Sequence, residues 1–234
     1  SAPFEQLIYR SAAARTGNHD APSEAGDLDL TIYGLRKWMR LALSGNPTVL
    51  TLLFAPTASL IQFDARGSQL RELAPAIVSR KAGKAFLGYL QAQRQRLLGE
   101  RGNGGHGQPR RGLIEQHGFD TKFACHMLRL GIQGVELLTT GKMTYPVPEA
   151  EHLLAVRRGE VDLQNCLTKA GELEAELRDL LDTSSLPAAP DAEKVEEWML
   201  KTYIRMWSAE RRLEDIREDE TFWEPLRAQL REKP

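Results

Sequence analysis

Residues 27–54 read DLDLTIYGLRKWMRLALSGNPTVLTLLF, and this stretch contains the change from strand to helix that decides the fold. Its first seven residues place acids or Thr at every second position, with Leu or Ile between them. That period of two predicts a β-strand at 27–33. A basic amphipathic segment at 34–44 follows and ends in a Gly-Asn-Pro turn at 45–47, which stops one helix and starts the next. We therefore predict two short helices directly after a strand.

The rest of the chain supplies one more strand and several longer helices. The second strand is predicted at 4–10 (FEQLIYR), and a loop at 12–26 separates the two. Asp120 is a suitable N-cap for a helix that ends at Gly141. A Gly-rich basic loop is predicted at 99–112 and a linker at 183–190. Further helices are predicted at 79–98, 149–158, 161–181 and 191–216.

Composition excludes several classes of protein. The chain of 234 residues carries 31 Lys and Arg against 32 Asp and Glu, so a strongly basic nucleic-acid coat is excluded, although a local basic patch is not. Two cysteines, Cys125 and Cys166, are too few for a disulfide scaffold. The longest apolar runs are too short to cross a bilayer, and no secretion signal opens the chain. We expect a soluble, cytoplasmic protein without a membrane partner.

Asp27 and Asp29 lie two residues apart on the predicted strand, so both side chains point to the same face. Two like charges on one face favour a divalent cation such as Mg²⁺, which prefers carboxylate and phosphate oxygens. The alternative is a solvent-exposed strand edge whose charges discourage aggregation. The pair by itself leaves both interpretations open.

A polar stripe follows the helix that Asp120 starts. Its members are spaced by four, three, four and three residues, and they are Lys122, His126, Arg129, Gln133 and Glu136. The rest of this helix is apolar, so the stripe must face a cleft, water or an anion, because an unpaired buried charge is costly. In the alternative interpretation, Glu136 and nearby acids pair with these bases. Lys37 and Arg40, three residues apart, are a second candidate for anion binding or for a solvated face.

The stretch at 27–54 resembles the core signature of a predicted nucleotidyltransferase family in the DNA polymerase β superfamily, which occurs in bacteria and phages, in some cases beside RNA ligases. Two later blocks, FLGYLQAQ at 86–93 and KFACHMLRLGIQGVELLTTG at 122–141, also resemble the family, and the resemblance covers 4–160. The matching residues of the first block are Asp29, Tyr33, Leu35, Arg36, Lys37, Gly45, Asn46, Pro47 and 50–54.

The resemblance implies an α+β fold, in which a small nucleotidyltransferase-like sheet, with only its later strands present, precedes a mainly helical domain. It implies three segments: part of the nucleotidyltransferase-like domain at 1–56, a helical nucleotide- or substrate-binding domain at 57–182, and a linker with charged helices at 183–234. The implied reaction transfers a nucleoside monophosphate from ATP or another NTP to a hydroxyl, with Mg²⁺ as cofactor.

The resemblance also assigns roles to particular residues. Asp29 corresponds to the third acid of the family; it would bind metal and assist deprotonation, and Asp27 is an additional acid. Lys122 and Arg129 would hold the β- and γ-phosphates, and His126 would hydrogen-bond a phosphate or the incoming substrate. Lys37 is the further nucleotide-binding candidate.

The Gly-Ser turn and first acidic pair of the family should precede Phe4, and no downstream segment replaces them. We therefore expect either a fragment of a longer enzyme or a degenerate relative, with an incomplete metal site and inefficient catalysis. The acceptor is left open among an RNA end, including tRNA, a protein side chain and a small molecule; the ligase neighbours favour RNA.

Two other functions compete with the transferase. One is a non-catalytic module that binds nucleotide or RNA and regulates another protein. The other is a helical interaction protein with a structural acidic strand, in which the charged C-terminal helices are solvated or pack on a partner protein. Five arginines that bracket the Gly-rich loop are further candidates for RNA phosphates, against the alternative of a plain surface loop: Arg94, Arg96, Arg101, Arg110 and Arg111.

Overall fold

The computed structural model describes residues 31–60, 63–100 and 110–210, with side chains up to residue 207. The predicted strand at 4–10, most of the strand at 27–33, and both Asp27 and Asp29 lie outside these residues. Residues 31–33 have no regular secondary structure. The described part is mainly helical, as predicted, and contains no strand. Its helices are α1 (Leu35–Leu43), α2 (Pro47–Phe54), α3 (Ala65–Glu72), α4 (Ala74–Ile77), α5 (Arg80–Leu97), α6 (Arg111–His117), α7 (Thr121–Thr140), α8 (Ala150–Arg158), α9 (Leu163–Thr183) and α10 (Ala192–Glu210).

Local capping chemistry explains why the predicted start of α2 and the predicted end of α7 are confirmed, whereas the predicted helix end at 216 lies outside the described residues. The Asn46 side chain accepts hydrogen bonds from the backbone N–H groups of Thr48 and Val49, and Pro47 occupies the first turn of α2. Gly141 ends α7 in the left-handed conformation, with φ of 71°. These signals act within a few residues, so they can be recognised without knowing the tertiary structure.

Three short helices were not predicted from the sequence, although Asp64 caps α3 by accepting the N–H groups of Arg66 and Gly67, and Gly118 ends α6 with φ of 80°. α3, α4 and α6 have between four and eight residues each, and α6 begins inside the segment predicted as a Gly-rich loop. The loop prediction at 99–112 is therefore wrong for residues 111 and 112, and residues 101–109 lie outside the described part. Short helices gain little from propensity, and packing against longer neighbours decides whether they form.

The core forms around α7, which packs against α5 and α9 as well as α8. Glycines let α7 approach its two long neighbours closely. A Cβ on Gly134 would lie 2.9 Å from Cβ of Phe86 in α5 and 3.0 Å from Cδ2 of Leu177 in α9. Gly131 is similarly close to Leu90 and Leu173. This arrangement buries the apolar sides of α7 and leaves Lys122 and Arg129 of its polar stripe exposed.

A buried carboxylate also joins α5 to α9. Glu174 of α9 receives Nη1 of Arg94 at 3.1 Å and Nη2 of Arg178 at 3.2 Å, and Nε2 of Gln91 lies 3.4 Å from Oε2. A buried charge needs such partners because its desolvation is costly. Arg94, one of the five arginines named as candidates for RNA phosphates or for a plain surface loop, therefore has a structural partner.

The chain divides into two compact units, one through Ala192 and one from Glu193. The segment boundaries at 56 and 182 that the resemblance implies stay predictions. In the described part of the second unit, Tyr203 and Trp207 stack with ring centroids 5.3 Å apart. Among the helices described here, none has both the length and the apolar character needed to cross a membrane.

Candidate anion-binding site

The predicted stripe occupies one side of α7, and its side chains differ in their exposure to solvent. Lys122 and Arg129 are exposed, His126 and Glu136 are half-buried, and Gln133 is buried with 5% of its surface exposed. The spacing of four and three residues thus places the cationic side chains toward solvent at the N-terminal half of the helix.

His126 lies in a strongly cationic environment. Burial lowers its pKa, and the nearby charges of Arg129, Arg96 and Lys122 lower it further, from 6.5 to about 4. The imidazole is therefore neutral at neutral pH and has one N–H donor and one ring nitrogen acceptor. Arg96 belongs to α5, so the positive region extends across two helices.

Arg96, Lys122 and Arg129 form no ion pair within the part of the chain that the structure describes. Glu136 does not neutralise them, because both of its carboxylate oxygens accept the backbone N–H of Thr144, at 3.0 and 3.1 Å. Among the described residues, Glu136 therefore forms no ion pair with the bases of the stripe. Three cations without carboxylate partners around a neutral His are suited to bind a multiply charged anion.

The C-terminal half of the stripe contacts another segment instead. Nε2 of Gln133 donates to the Tyr145 hydroxyl at 3.0 Å. Burial raises the pKa of Tyr145, although the nearby Thr51 side chain, the charge of Arg129 and the hydrogen bond from Gln133 act to lower it. Tyr145 is therefore a neutral phenol at neutral pH, and its hydroxyl is held by Gln133 of α7.

The two cysteines lie on α7 and α9, and neither has a reactive thiol. Burial raises the pKa of the half-buried Cys125 thiol, although the charges of Arg129 and Arg157 oppose the change. Burial and the charge of Asp162 raise the pKa of the fully buried Cys166 to about 11. Both side chains are protonated thiols at neutral pH, as expected for structural cysteines.

The remaining sequence candidates are not assembled with the stripe in the described residues. Lys37 is exposed on α1, and its ammonium lies 5.8 Å from the centroid of the Tyr33 ring. Asp27 and Asp29 lie outside the described part. Within 31–60, 63–100 and 110–210, no group of three or more His, Cys, Asp or Glu side chains is arranged to hold a metal ion.

Sequence reasoning did not place Arg96 or Tyr145 in this site. Arg96 was assigned to the edge of the Gly-rich loop, and only the packing of α5 on α7 brings its charge to His126. Tyr145 follows α7 by five residues, before Pro146 and Pro148. The turn that starts at Gly141 and contains two prolines could have indicated that the chain folds back toward α7.

The described part of the chain is mainly helical and carries a cationic face with Arg96, Lys122 and Arg129 near His126. A family model described as RNA repair pathway DNA polymerase beta family matches residues 15–201. This chain belongs to that family of DNA polymerase β-like proteins, which are nucleotidyltransferase-like. No curated protein and no solved structure matches the chain.

Proposed function

We propose that this chain is a nucleotidyltransferase that binds the triphosphate of an NTP at Lys122 and Arg129, with Arg96 as a third cation. The observation that carries the proposal is that Arg96, Lys122 and Arg129, whose charges act on the neutral His126, have no carboxylate partner among the residues that the structure describes. The membership of the chain in a polymerase-β-like family supports a nucleotide as the anion. The family description mentions RNA repair, which favours an RNA end, including that of a tRNA, as the hydroxyl acceptor.

Each residue has a role that its chemistry permits. Arg129 and Arg96 offer planar pairs of N–H donors for two phosphate oxygens, and Lys122 offers a compact charge. His126, being neutral, hydrogen-bonds a phosphate or the incoming substrate, and Asp29 assists removal of the proton from the acceptor hydroxyl. In the transfer, the acceptor oxygen forms a bond to the α-phosphorus, the bond to the β-phosphate breaks, and pyrophosphate leaves.

Mg²⁺ is assigned in this proposal to Asp29, with Asp27 beside it in sequence, and Lys37 is the further nucleotide contact. The described residues contain no group of three or more side chains arranged to hold a metal ion, so this proposal names only Asp27 and Asp29 as metal ligands. The metal would neutralise charge on the leaving pyrophosphate.

Calorimetric titration with ATP, GTP, CTP and UTP in the presence of Mg²⁺ tests the site. We expect Arg129→Ala to weaken binding at least tenfold, about 1.4 kcal/mol, with a smaller loss for Arg129→Lys. Lys84→Ala is the control, because Lys84 is exposed on α5 and its substitution removes one positive charge, as Arg129→Ala does. Absence of binding to the unaltered chain, or unchanged affinity in Arg129→Ala, would overturn the proposal.

The same cations support a second candidate, a non-catalytic module that holds nucleotide or RNA, because anion binding alone requires neither metal nor base. Release of pyrophosphate from NTP, measured with RNA carrying a free 3′ hydroxyl, separates the two. Binding without release would favour the module, and binding with release would favour the transferase.

A further inference from the structure

Three residues form a row along α5, on a different side from the one that packs on α9. Tyr89, Gln93 and Arg96 are spaced by four and three residues, so they share one side of the helix. Arg94 lies on another side, where its guanidinium pairs with Glu174 of α9. The α5 row is therefore separate from the contact between these two helices.

The packing of α5 on α7 brings the α5 row to the cationic face. The two helices run antiparallel, and a Cβ on Gly131 of α7 would lie 2.9 Å from Cδ1 of Leu90. One turn further along α5, Gln93 is therefore level with residues 127–130 of α7, the turn that contains Arg129. The row thus lies beside the cations of the proposed triphosphate site.

Gln93 contributes a buried amide oxygen without a partner. Only 6% of the residue is exposed, and its Oε1 forms no hydrogen bond with any of the described residues. An unpaired buried acceptor is destabilising, and in native structures most such atoms have a partner in the protein, a water or a ligand. The terminal amide torsion of Gln is soft, so Oε1 can turn toward a ligand. That partner must donate an O–H or N–H, which an ionised phosphate does not.

Tyr89 contributes an aromatic ring to the same row. The residue is 43% exposed, and its hydroxyl accepts a hydrogen bond from Nδ2 of Asn46 at 3.2 Å. This bond holds one end of the side chain while much of it stays accessible. A nucleobase stacks on such a ring, and stacking tolerates any base because every base has a π-face.

The order of these groups along α5 is the order of groups in a nucleotide. Arg96 offers a cation for phosphate, Gln93 an acceptor for a hydroxyl, and Tyr89 a ring for a base. The helix rises about 10 Å over this row, which suits one nucleotide laid along it. The sugar follows the phosphates in a nucleotide, so a sugar hydroxyl is the donor nearest to Gln93.

We propose that Gln93 accepts a hydrogen bond from a sugar hydroxyl of the NTP and that Tyr89 stacks on its base. This inference rests on the proposed function, because it concerns the nucleoside part of the ligand whose triphosphate the cations hold. It assigns the substrate class: ribonucleotides are preferred to nucleotides that lack the hydroxyl bound by Gln93.

Calorimetric titration with ATP, 2′-deoxyATP and 3′-deoxyATP, each with Mg²⁺, tests the sugar contact. We expect one of the two deoxy forms to bind about fivefold more weakly than ATP, as for one lost hydrogen bond. In Gln93→Leu, ATP should bind as weakly as that deoxy form, and removal of the hydroxyl should cost nothing further, because its partner is gone. Equal affinity of the unaltered chain for all three nucleotides would overturn the assignment, as would additive losses.

Two controls separate this contact from effects on folding. Gln95→Leu removes the same amide from an exposed position of α5 and should leave the three affinities unchanged. Gln93→Leu should unfold at the same temperature or higher, since it replaces an unpartnered buried amide by an apolar side chain of similar size. A lower unfolding temperature with the preference for ATP retained would show that the amide serves the fold, and would overturn the inference. The comparison of nucleotides on the unaltered chain does not depend on any variant.

Tyr89 and inorganic tripolyphosphate supply the remaining readouts. Tyr89→Ala should weaken ATP binding about tenfold, whereas Tyr89→Phe keeps the ring and should bind like the unaltered chain. Tripolyphosphate has neither sugar nor base, so its affinity should not change in Gln93→Leu or Tyr89→Ala. Unchanged ATP affinity in Tyr89→Ala, or weakened tripolyphosphate binding in these variants, would overturn the assignment.

The same titrations distinguish failure of this inference from failure of the proposed function. If the unaltered chain binds tripolyphosphate and ATP but does not distinguish ATP from its deoxy forms, only the role of Gln93 fails. If it binds neither tripolyphosphate nor ATP, the triphosphate site itself fails.

Discussion

Oδ2 of the buried Asp120 accepts hydrogen bonds from both the backbone N–H of Arg110, at 2.9 Å, and its Nη1, at 3.2 Å. Oδ1 of the same carboxylate caps α7 by accepting the N–H groups of Lys122 and Phe123. The guanidinium also lies 5.4 Å from the centroid of the Phe123 ring. The Asp120 side chain thus caps the start of α7 and binds the segment before it. Arg110 has a structural role, because its guanidinium is paired with Asp120.

Asp120→Ala should destabilise the protein, because it removes a cap and the partner of Arg110 together. We expect the free energy of unfolding to fall by about 2 kcal/mol, the upper end for a capping residue. The measurement is urea unfolding followed by circular dichroism. Asp162→Ala is the control, since Asp162 caps α9 while exposed to solvent and should cost about 1 kcal/mol. Equal losses in the two variants would show that the link to Arg110 contributes nothing.

Gly134→Ala should also destabilise the protein, for a steric reason. The new Cβ would lie 2.9 Å from Cβ of Phe86, which cannot move without its helix, so α5 and α7 must separate. We expect a net loss of about 1 to 2 kcal/mol after the gain in helix propensity is counted. Gly171→Ala in α9 meets open space and should instead stabilise by up to about 1 kcal/mol. Urea unfolding of both variants measures the difference, and a stabilised Gly134→Ala would refute the close approach.

Stability should depend on pH through His126. Its pKa is about 4 in the folded protein and 6.5 as a free side chain, so the unfolded chain binds more protons between these values. The contribution of His126 to stability is therefore complete above pH 6.5 and is lost as the pH falls toward 4. We expect His126→Gln to reduce the slope of unfolding free energy against pH in this window. Urea unfolding at several pH values tests this, with His152→Gln as the control substitution; equal slopes in the variant and the unaltered chain would contradict it.

Arg96→Ala should weaken the anion site although Arg96 lies on a different helix from the stripe. It removes one of the three charges that surround His126, and we expect about a tenfold loss of ATP affinity and a rise in the pKa of His126. Calorimetry and the NMR titration of the His126 ring provide the two readouts. Lys84→Ala on the same helix should leave both within error. A loss in affinity with no change in the His126 titration would show that Arg96 acts from elsewhere.

The thiols should react slowly and in a fixed order. Burial raises the pKa of both Cys125 and Cys166, and only Cys125 is partly accessible. With Ellman's reagent at pH 8, we expect slow modification of Cys125 and no reaction of Cys166 until the protein is unfolded, when both react. Cys125→Ser identifies the slow thiol. Rapid reaction of two thiols in the native protein would contradict this packing.

Much of the local structure could be predicted from residues near in sequence. The Asp120 cap, the Gly141 terminus and Pro47 define helices because each acts on backbone groups within one turn. The polar stripe of α7 followed from helical periodicity alone. The family was recognised from ordered blocks, and the matching family model covers them.

Which arginines belong to the site could not be predicted from residues near in sequence. Five arginines around the Gly-rich segment looked alike in sequence, yet in the structure Arg94 pairs with Glu174 and Arg110 with Asp120, while Arg96 reaches His126. A charge is free or paired according to which side chains the helices bring within a few ångströms, and those partners lie far away along the chain.

The sequence by itself therefore determined where the main helices begin and end, which side of α7 is polar, and the family to which the chain belongs. Only the tertiary structure decided which cations lack a carboxylate among the described residues, that Glu136 accepts the N–H of Thr144, and that Tyr145 accepts from Gln133. Helix propensity and capping act between near neighbours, whereas burial and charge pairing depend on how α5, α7 and α9 pack together.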